Sequence, residues 1–114
     1  MAYKRTDRVN ALLQRELGTL ISEELTDPRI TFPTVTQVEV SPDLRVARVH
    51  VSVLGDDDQA TETMQALEDA KPHLRHELGA RTDLRFVPAL EFVPDRSAAR
   101  ASRIAQLLRE AKGE

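Results

Sequence analysis

Nine side chains carry most of the chemistry this sequence offers: Arg5, Arg8, Arg45, Arg48, His50, Lys71, Arg75, Arg81 and Arg85. Arginine and lysine neutralise phosphates, and histidine stacks or donates, so the set suits recognition of an RNA backbone. Free N–H groups at the end of a kinked helix would add donors for the same anion. Taken singly, each of these residues is also ordinary surface charge. Aromatic residues make up only 4% of the chain. With Phe86 and Phe92 assigned to the core, little is left for a base-stacking platform, and recognition of backbone and shape is expected.

Other constellations are weaker. His73 and His76 stand three apart on an expected helix and could share a metal, but no third ligand follows at metal-site spacing. Asp56-Asp57-Asp58 lacks the alternation and closing glutamate of a calcium loop and reads as a solvated helix start. The chain contains no GxxxxGK[ST], GxGxxG or GxSxG. No enzymatic activity, metal, cofactor or small-molecule substrate is therefore expected. A metal-dependent hydrolase built on the two histidines is the least supported reading.

Charge is uneven along the 114 residues, whose formal net charge is −3. Residues 1–54 are balanced, residues 55–69 carry −6 and residues 70–114 carry +3, with a basic cluster at Lys4, Arg5 and Arg8. One face can thus attract phosphate while another repels it. The chain has no cysteine, and no charged-then-apolar leader precedes the first amphipathic segment, which fits a cytoplasmic protein. Apolar runs of a few residues fall far short of the ~20 needed to span a membrane. The length suits one domain over residues 1–114, able to bury roughly 65% of its unfolded surface, with 109–114 as a frayed tail.

These side chains need elements to position them. From Asp7 to Leu25, apolar residues at Val9, Leu12, Leu13, Leu17, Leu20, Ile21 and Leu25 keep the helical period, with Thr6 or Asp7 as cap. Asp27-Pro28 ends that helix. Val35 to Gly55 reads as a hairpin turning at Ser41-Pro42-Asp43-Leu44. Pairing Ser41 with Leu44 sets Val40 opposite Arg45, Val38 opposite Ala47, Thr36 opposite Val49 and Thr34 opposite Val51 on an apolar face. Gln37, Glu39, Arg48, His50 and Ser52 then face water, and Arg48 and His50 are the residues favoured there for binding.

A second helix begins at the Asp56–Asp58 run, with Ala60, Met64, Leu67, Leu74 and Leu78 in one phase. Pro72 should kink or break it near Ala70-Lys71-Pro72, and Gly79 should cap its second half. Leu84, Phe86, Leu90 and Phe92 alternate as a third strand from Leu84 to Val93, with Pro88 marking a bulge or free edge. Its long connection allows it to lie parallel to the second strand. Ser97 caps a last helix bearing Ala101, Ile104 and Leu108.

In this order and spacing, Arg5, Arg8-Val9, Asp27-Pro28-Arg29, Val38-Glu39-Val40-Ser41-Pro42-Asp43-Leu44 and Val51-Ser52-Val53-Leu54-Gly55 form a recognisable series. Leu84-Arg85-Phe86-Val87-Pro88-Ala89-Leu90, Phe92-Val93-Pro94-Asp95-Arg96-Ser97 and Arg103-Ile104 continue it. Over nearly its full length the chain resembles the ribosome-binding factor A family.

The resemblance implies an α+β, type II KH-like fold: a three-stranded mixed sheet with helices on one face, in the order α-β-β-α-kink-α-β plus a C-terminal helix. It implies an Ala-x-Gly interhelical kink, whose place here is taken by Ala70, Lys71 and Pro72, with proline where the family has glycine. His50 stands where the family has tyrosine. As partner it implies the immature small ribosomal subunit and its rRNA, and as role late maturation including rRNA 5′-end processing, by a monomer needed most in the cold. The competing reading is a protein-interaction module that docks through its charged helices and never touches RNA.

Overall fold

The computed structural model describes residues 5–95 and 104–111. Elements follow in the order α1 (Arg5–Glu23), β1 (Pro33–Val40), β2 (Val46–Val53), α2 (Asp57–Arg81) and β3 (Ala89–Pro94). A further helical segment covers 104–111, where Ile104 and Leu108 are exposed. Ser97 and Ala101, expected to cap and face that helix, lie outside the described residues, as do Lys4 and residues 112–114 of the expected tail.

The apolar period of α1 is realised in Val9, Leu13, Leu17, Leu20 and Ile21, all buried. The helix starts at Arg5, so Thr6 and Asp7 lie inside its first turn instead of capping it, and Asp7 adds a negative charge at the positive end. It stops at Glu23, two residues earlier than expected. Beyond it the Asp27 carboxylate accepts the Arg29 N–H at 2.9 Å, a local turn that competes with helix. The Arg29 guanidinium joins Asp27 at 2.7 Å to Asp69 of α2 at 3.0 Å. The buried Thr63 hydroxyl accepts from Thr31 N–H at 3.0 Å and donates to the Arg29 carbonyl at 2.9 Å, mooring the same loop.

β1 and β2 pair antiparallel, but two residues out of the expected register: Val40 faces Ala47 and Val38 faces Val49. Ser41-Pro42-Asp43-Leu44 does turn, with Leu44 N–H donating to the Ser41 carbonyl at 2.8 Å. However, Leu44 sits at φ 61° and Ser41 N–H pairs with the Val46 carbonyl, so the loop spans Pro42 to Arg45. A shift of two preserves the side of the sheet on which each residue lies. Val38, Ala47 and Val49 are buried as expected, while Glu39 and Arg48 are exposed. A bulge between Val35 and Gln37 then reverses the alternation, turning Val35 inward opposite Val51 and leaving Thr34 and Thr36 exposed instead of on the apolar face.

β3 lies parallel to β2, pairing Val46 with Ala89 through Val51 with Pro94. It begins at Ala89, not Leu84, because Ala89 N–H donates to the Arg45 carbonyl and Pro88 before it has no N–H with which to extend the ladder. Pro88 is therefore a buried residue ahead of the strand, not a bulge within it. Leu84 and Val87 pack on the core, Phe92 is buried, and Phe86, expected in the core, is 78% exposed.

Asp56 caps α2 in a capping box with Gln59. The helix continues through Pro72 to Arg81, so the expected pair of helices meeting at Ala70-Lys71-Pro72 is one helix of 25 residues. An internal proline costs about 3 kcal/mol, but Leu67 on one side and Leu74 and Leu78 on the other are fully buried in the same core. Each such burial contributes ~1.5–3 kcal/mol, enough to keep both halves helical across the proline. Thr82, not Gly79, ends α2, with both its N–H and its hydroxyl donating to the Leu78 carbonyl.

The sheet order is β1-β2-β3, and residues of α1 and α2 share one buried cluster with Val38, Val49, Leu90 and Phe92. The fold is α+β, a mixed three-stranded sheet with helices on one face, consistent with a KH-like fold. Glu39, Arg48 and Glu91 lie on the other face.

Candidate nucleic-acid interface

Pairing of Val40 with Ala47 and of Val46 with Ala89 brings the β1–β2 loop and the α2–β3 loop to one end of the sheet. The first turns of α1 reach the same end. Together they enclose an open cleft of about 830 Å³, lined by Arg5, Arg45, Arg75 and Arg85 and floored by Val9, Leu84 and Pro88. Among its described lining residues the acidic one is Asp43. The Ser41 hydroxyl, donating at 2.7 Å, and the Arg45 N–H hold its carboxyl below the usual carboxylate range.

The four arginines play different parts. Arg75 donates from Nη2 to the Val87 carbonyl at 2.8 Å and from Nε to the Pro88 carbonyl at 3.2 Å, tying α2 to the loop before β3. Arg45 is highly exposed, with Nε 3.9 Å from Asp43. Arg5 and Arg85 form no ion pair with another described residue, so their guanidinium groups can meet an incoming anion. Phe86 stands among these arginines with its ring in solvent. Sequence reasoning missed it by extending the strand back through Pro88, whose missing N–H was the available signal.

The other expected binding residues are dispersed. Register sets Glu39, Arg48 and Glu91 in one row across the open sheet face. Arg48 Nε lies 3.2 Å from Glu91, and His50 Nε2 lies 2.8 Å from Glu39, so each cationic or protonatable group there faces a carboxylate. Arg81 bridges to Glu16 at 3.4 Å and Glu24 at 3.3 Å, joining α2 to α1. Lys71 pairs with Glu68 at 2.6 Å and lies 5.9 Å from the centre of the Phe92 ring, within cation–π range. Arg8 is exposed on α1 outside the cleft lining. His73 and His76 are exposed, and the described residues contain no group of three side chains able to hold a metal ion. No helix among them is long and apolar enough to cross a membrane.

The family model described as ribosome-binding factor A matches residues 5–108 of this chain. Ribosome-binding factor A of Desulfitobacterium hafniense (strain DSM 10664 / DCB-2) is 48% identical over 114 residues, which is 100% of this chain and 91% of the relative. Among solved structures, the crystal structure of ribosome-binding factor A from Thermus thermophilus superposes with a TM-score of 0.72 at 33% identity, covering 81% of this chain and 97% of that one. A homology model of the Thermus thermophilus factor, as fitted into the cryo-EM map of a 30S complex, gives a TM-score of 0.65 at 35% identity, covering 77% and 92%.

Proposed function

Because the chain belongs to the ribosome-binding factor A family, we propose that it binds the small ribosomal subunit through rRNA, with the arginine cleft as the RNA-facing site. The observation that carries this reading is the convergence of Arg5, Arg45, Arg75 and Arg85 on one cleft beside a sheet face whose charges are already paired. The relative fitted into a 30S complex supports the choice of partner. Binding is to the immature subunit, as a cytoplasmic monomer that assists late maturation, including processing of the rRNA 5′ end, and leaves before translation. The role is that of a binding factor and not of a catalyst.

Phosphate contacts by Arg5, Arg45 and Arg85 displace counterions, giving a slope of log K against log salt of about −2 on single-stranded RNA. Sedimentation tests the proposal directly. Tagged protein should travel with free small subunits and not with translating ribosomes, and the R5E/R45E/R85E variant should stay at the top of the gradient. Equal association of the variant, or affinity indifferent to salt, would refute it.

A further inference from the structure

We infer that the arginine cleft takes an unpaired nucleotide, its base stacked on Phe86 and its flanking phosphates on Arg5, Arg45 and Arg85. This rests on the RNA reading above and narrows it from RNA in general to single-stranded RNA.

Full burial of a phenylalanine is favourable by ~1.5–3 kcal/mol, yet Phe86 is left 78% exposed while Leu84 and Val87 on either side pack on the core. The ring is not on a slack loop. Arg75 holds the carbonyls of Val87 and Pro88, Pro88 is fully buried, and Ala89 N–H is bonded to Arg45. An aromatic face held in water beside the guanidinium groups of Arg5 and Arg85, which make no ion pair with another described residue, and the exposed Arg45 combines the two parts of a single-strand site, a stacking surface and phosphate cations.

Guanidinium groups alone accept any phosphate. The ring discriminates, because the bases of an A-form duplex are stacked on each other and offer it no face, whereas an unpaired base does. The cleft volume of about 830 Å³ lies within the ~300–1,000 Å³ of sites that enclose small ligands, so a nucleotide fits. The four arginines oppose the docking of a basic or purely apolar peptide.

The chain has no tryptophan, so F86W places a single indole reporter at the site. Its emission should be quenched by an oligouridylate octamer and left unchanged by the same length of RNA in duplex or by inorganic polyphosphate. F86A should bind the octamer about tenfold or more weakly, F86W should retain binding, and circular dichroism should report unchanged folding in both. Octamer affinity of F86A equal to that of the parent, or quenching of F86W by duplex or polyphosphate as strong as by octamer, would overturn the inference. So would an F86A variant that binds the octamer normally but leaves small subunits, since the ring would then meet protein. In each of these cases, failure of the R5E/R45E/R85E variant to bind subunits keeps the RNA reading standing, and its normal binding overturns that reading too.

Discussion

Arg75 on α2 donates from Nη2 to the Val87 carbonyl at 2.8 Å, so one arginine of the cleft is engaged in holding the loop that carries another, Arg85. A lysine keeps the charge but cannot make the forked pair of bonds to Val87 and Pro88. R75K should lower the melting temperature by a few degrees, the equivalent of about 1 kcal/mol in a domain of this size. It should also weaken subunit binding without changing its salt slope. Thermal melts and salt titrations check this, and a variant that melts and binds like the parent would contradict it.

Arg85 is unpaired among the described residues, whereas Arg48 faces Glu91 at 3.2 Å. R85A should reduce the salt slope on single-stranded RNA by ~0.7 and weaken binding severalfold, while R48A should leave the slope unchanged. Equal effects from the two variants would mean that the open sheet face shares the contact.

Asp27 should register in acid. Hydrogen bonds from the Arg29 guanidinium, and secondarily from its backbone N–H, lower the Asp27 carboxyl to about 2, against ~3.9 in an unfolded chain. A depressed folded value stabilises the fold fully above the unfolded value and loses that contribution as pH falls through the folded one. The melting-temperature difference between the parent and D27N should therefore be constant above about pH 5 and shrink progressively as the pH falls through about 2. A difference that grows on acidification would be of the wrong sign.

Thr63 tests the mooring of the α1–β1 loop. T63V removes the hydroxyl that serves Thr31 N–H and the Arg29 carbonyl, and leaving such groups unpaired costs about 1–3 kcal/mol. T63S should melt near the parent, T63V several degrees lower, and both should keep the parent's salt slope. A T63V variant as stable as T63S would remove the mooring role.

Arg81 is expected to matter for stability and not for binding. Its bridges to Glu16 and Glu24 are partly exposed, and such pairs contribute ~0.2–1 kcal/mol each. R81A should lower the melting temperature slightly and leave octamer and subunit affinity unaltered. Loss of affinity in R81A would return this residue to the binding surface.

Periodicity made the elements legible in the sequence. Val9, Leu13, Leu17 and Leu20 repeat at the helical spacing, and Val38, Ala47 and Val49 alternate, so α1 and the inner face of the hairpin could be read directly. Between Val38 and Val49 that inner face survived an error of two residues in register because side-chain direction in a strand repeats every two, but beyond the bulge at Val35 to Gln37 it did not, and Thr34 and Thr36 are exposed. The family motifs, from Asp27-Pro28-Arg29 to Val87-Pro88-Ala89, were legible for the same reason: they are local.

Only the tertiary structure decided which charges remain available. Arg48 meets Glu91 across 43 positions and His50 meets Glu39 across 11, pairings fixed by strand register and not by any local signal. Arg5, Arg45, Arg75 and Arg85 are spread over four segments and converge only because one end of the sheet gathers them. Phe86 left the core because Pro88 lacks the N–H that would have carried β3 further back, and the core closed over Leu84 and Val87 without it. Sequence by itself determined the order of the elements, the buried stripe of α1 and the family, since local spacing encodes these. Pairing between distant segments selected the proposed site, because whether an arginine is free depends on which carboxylate the fold brings to it.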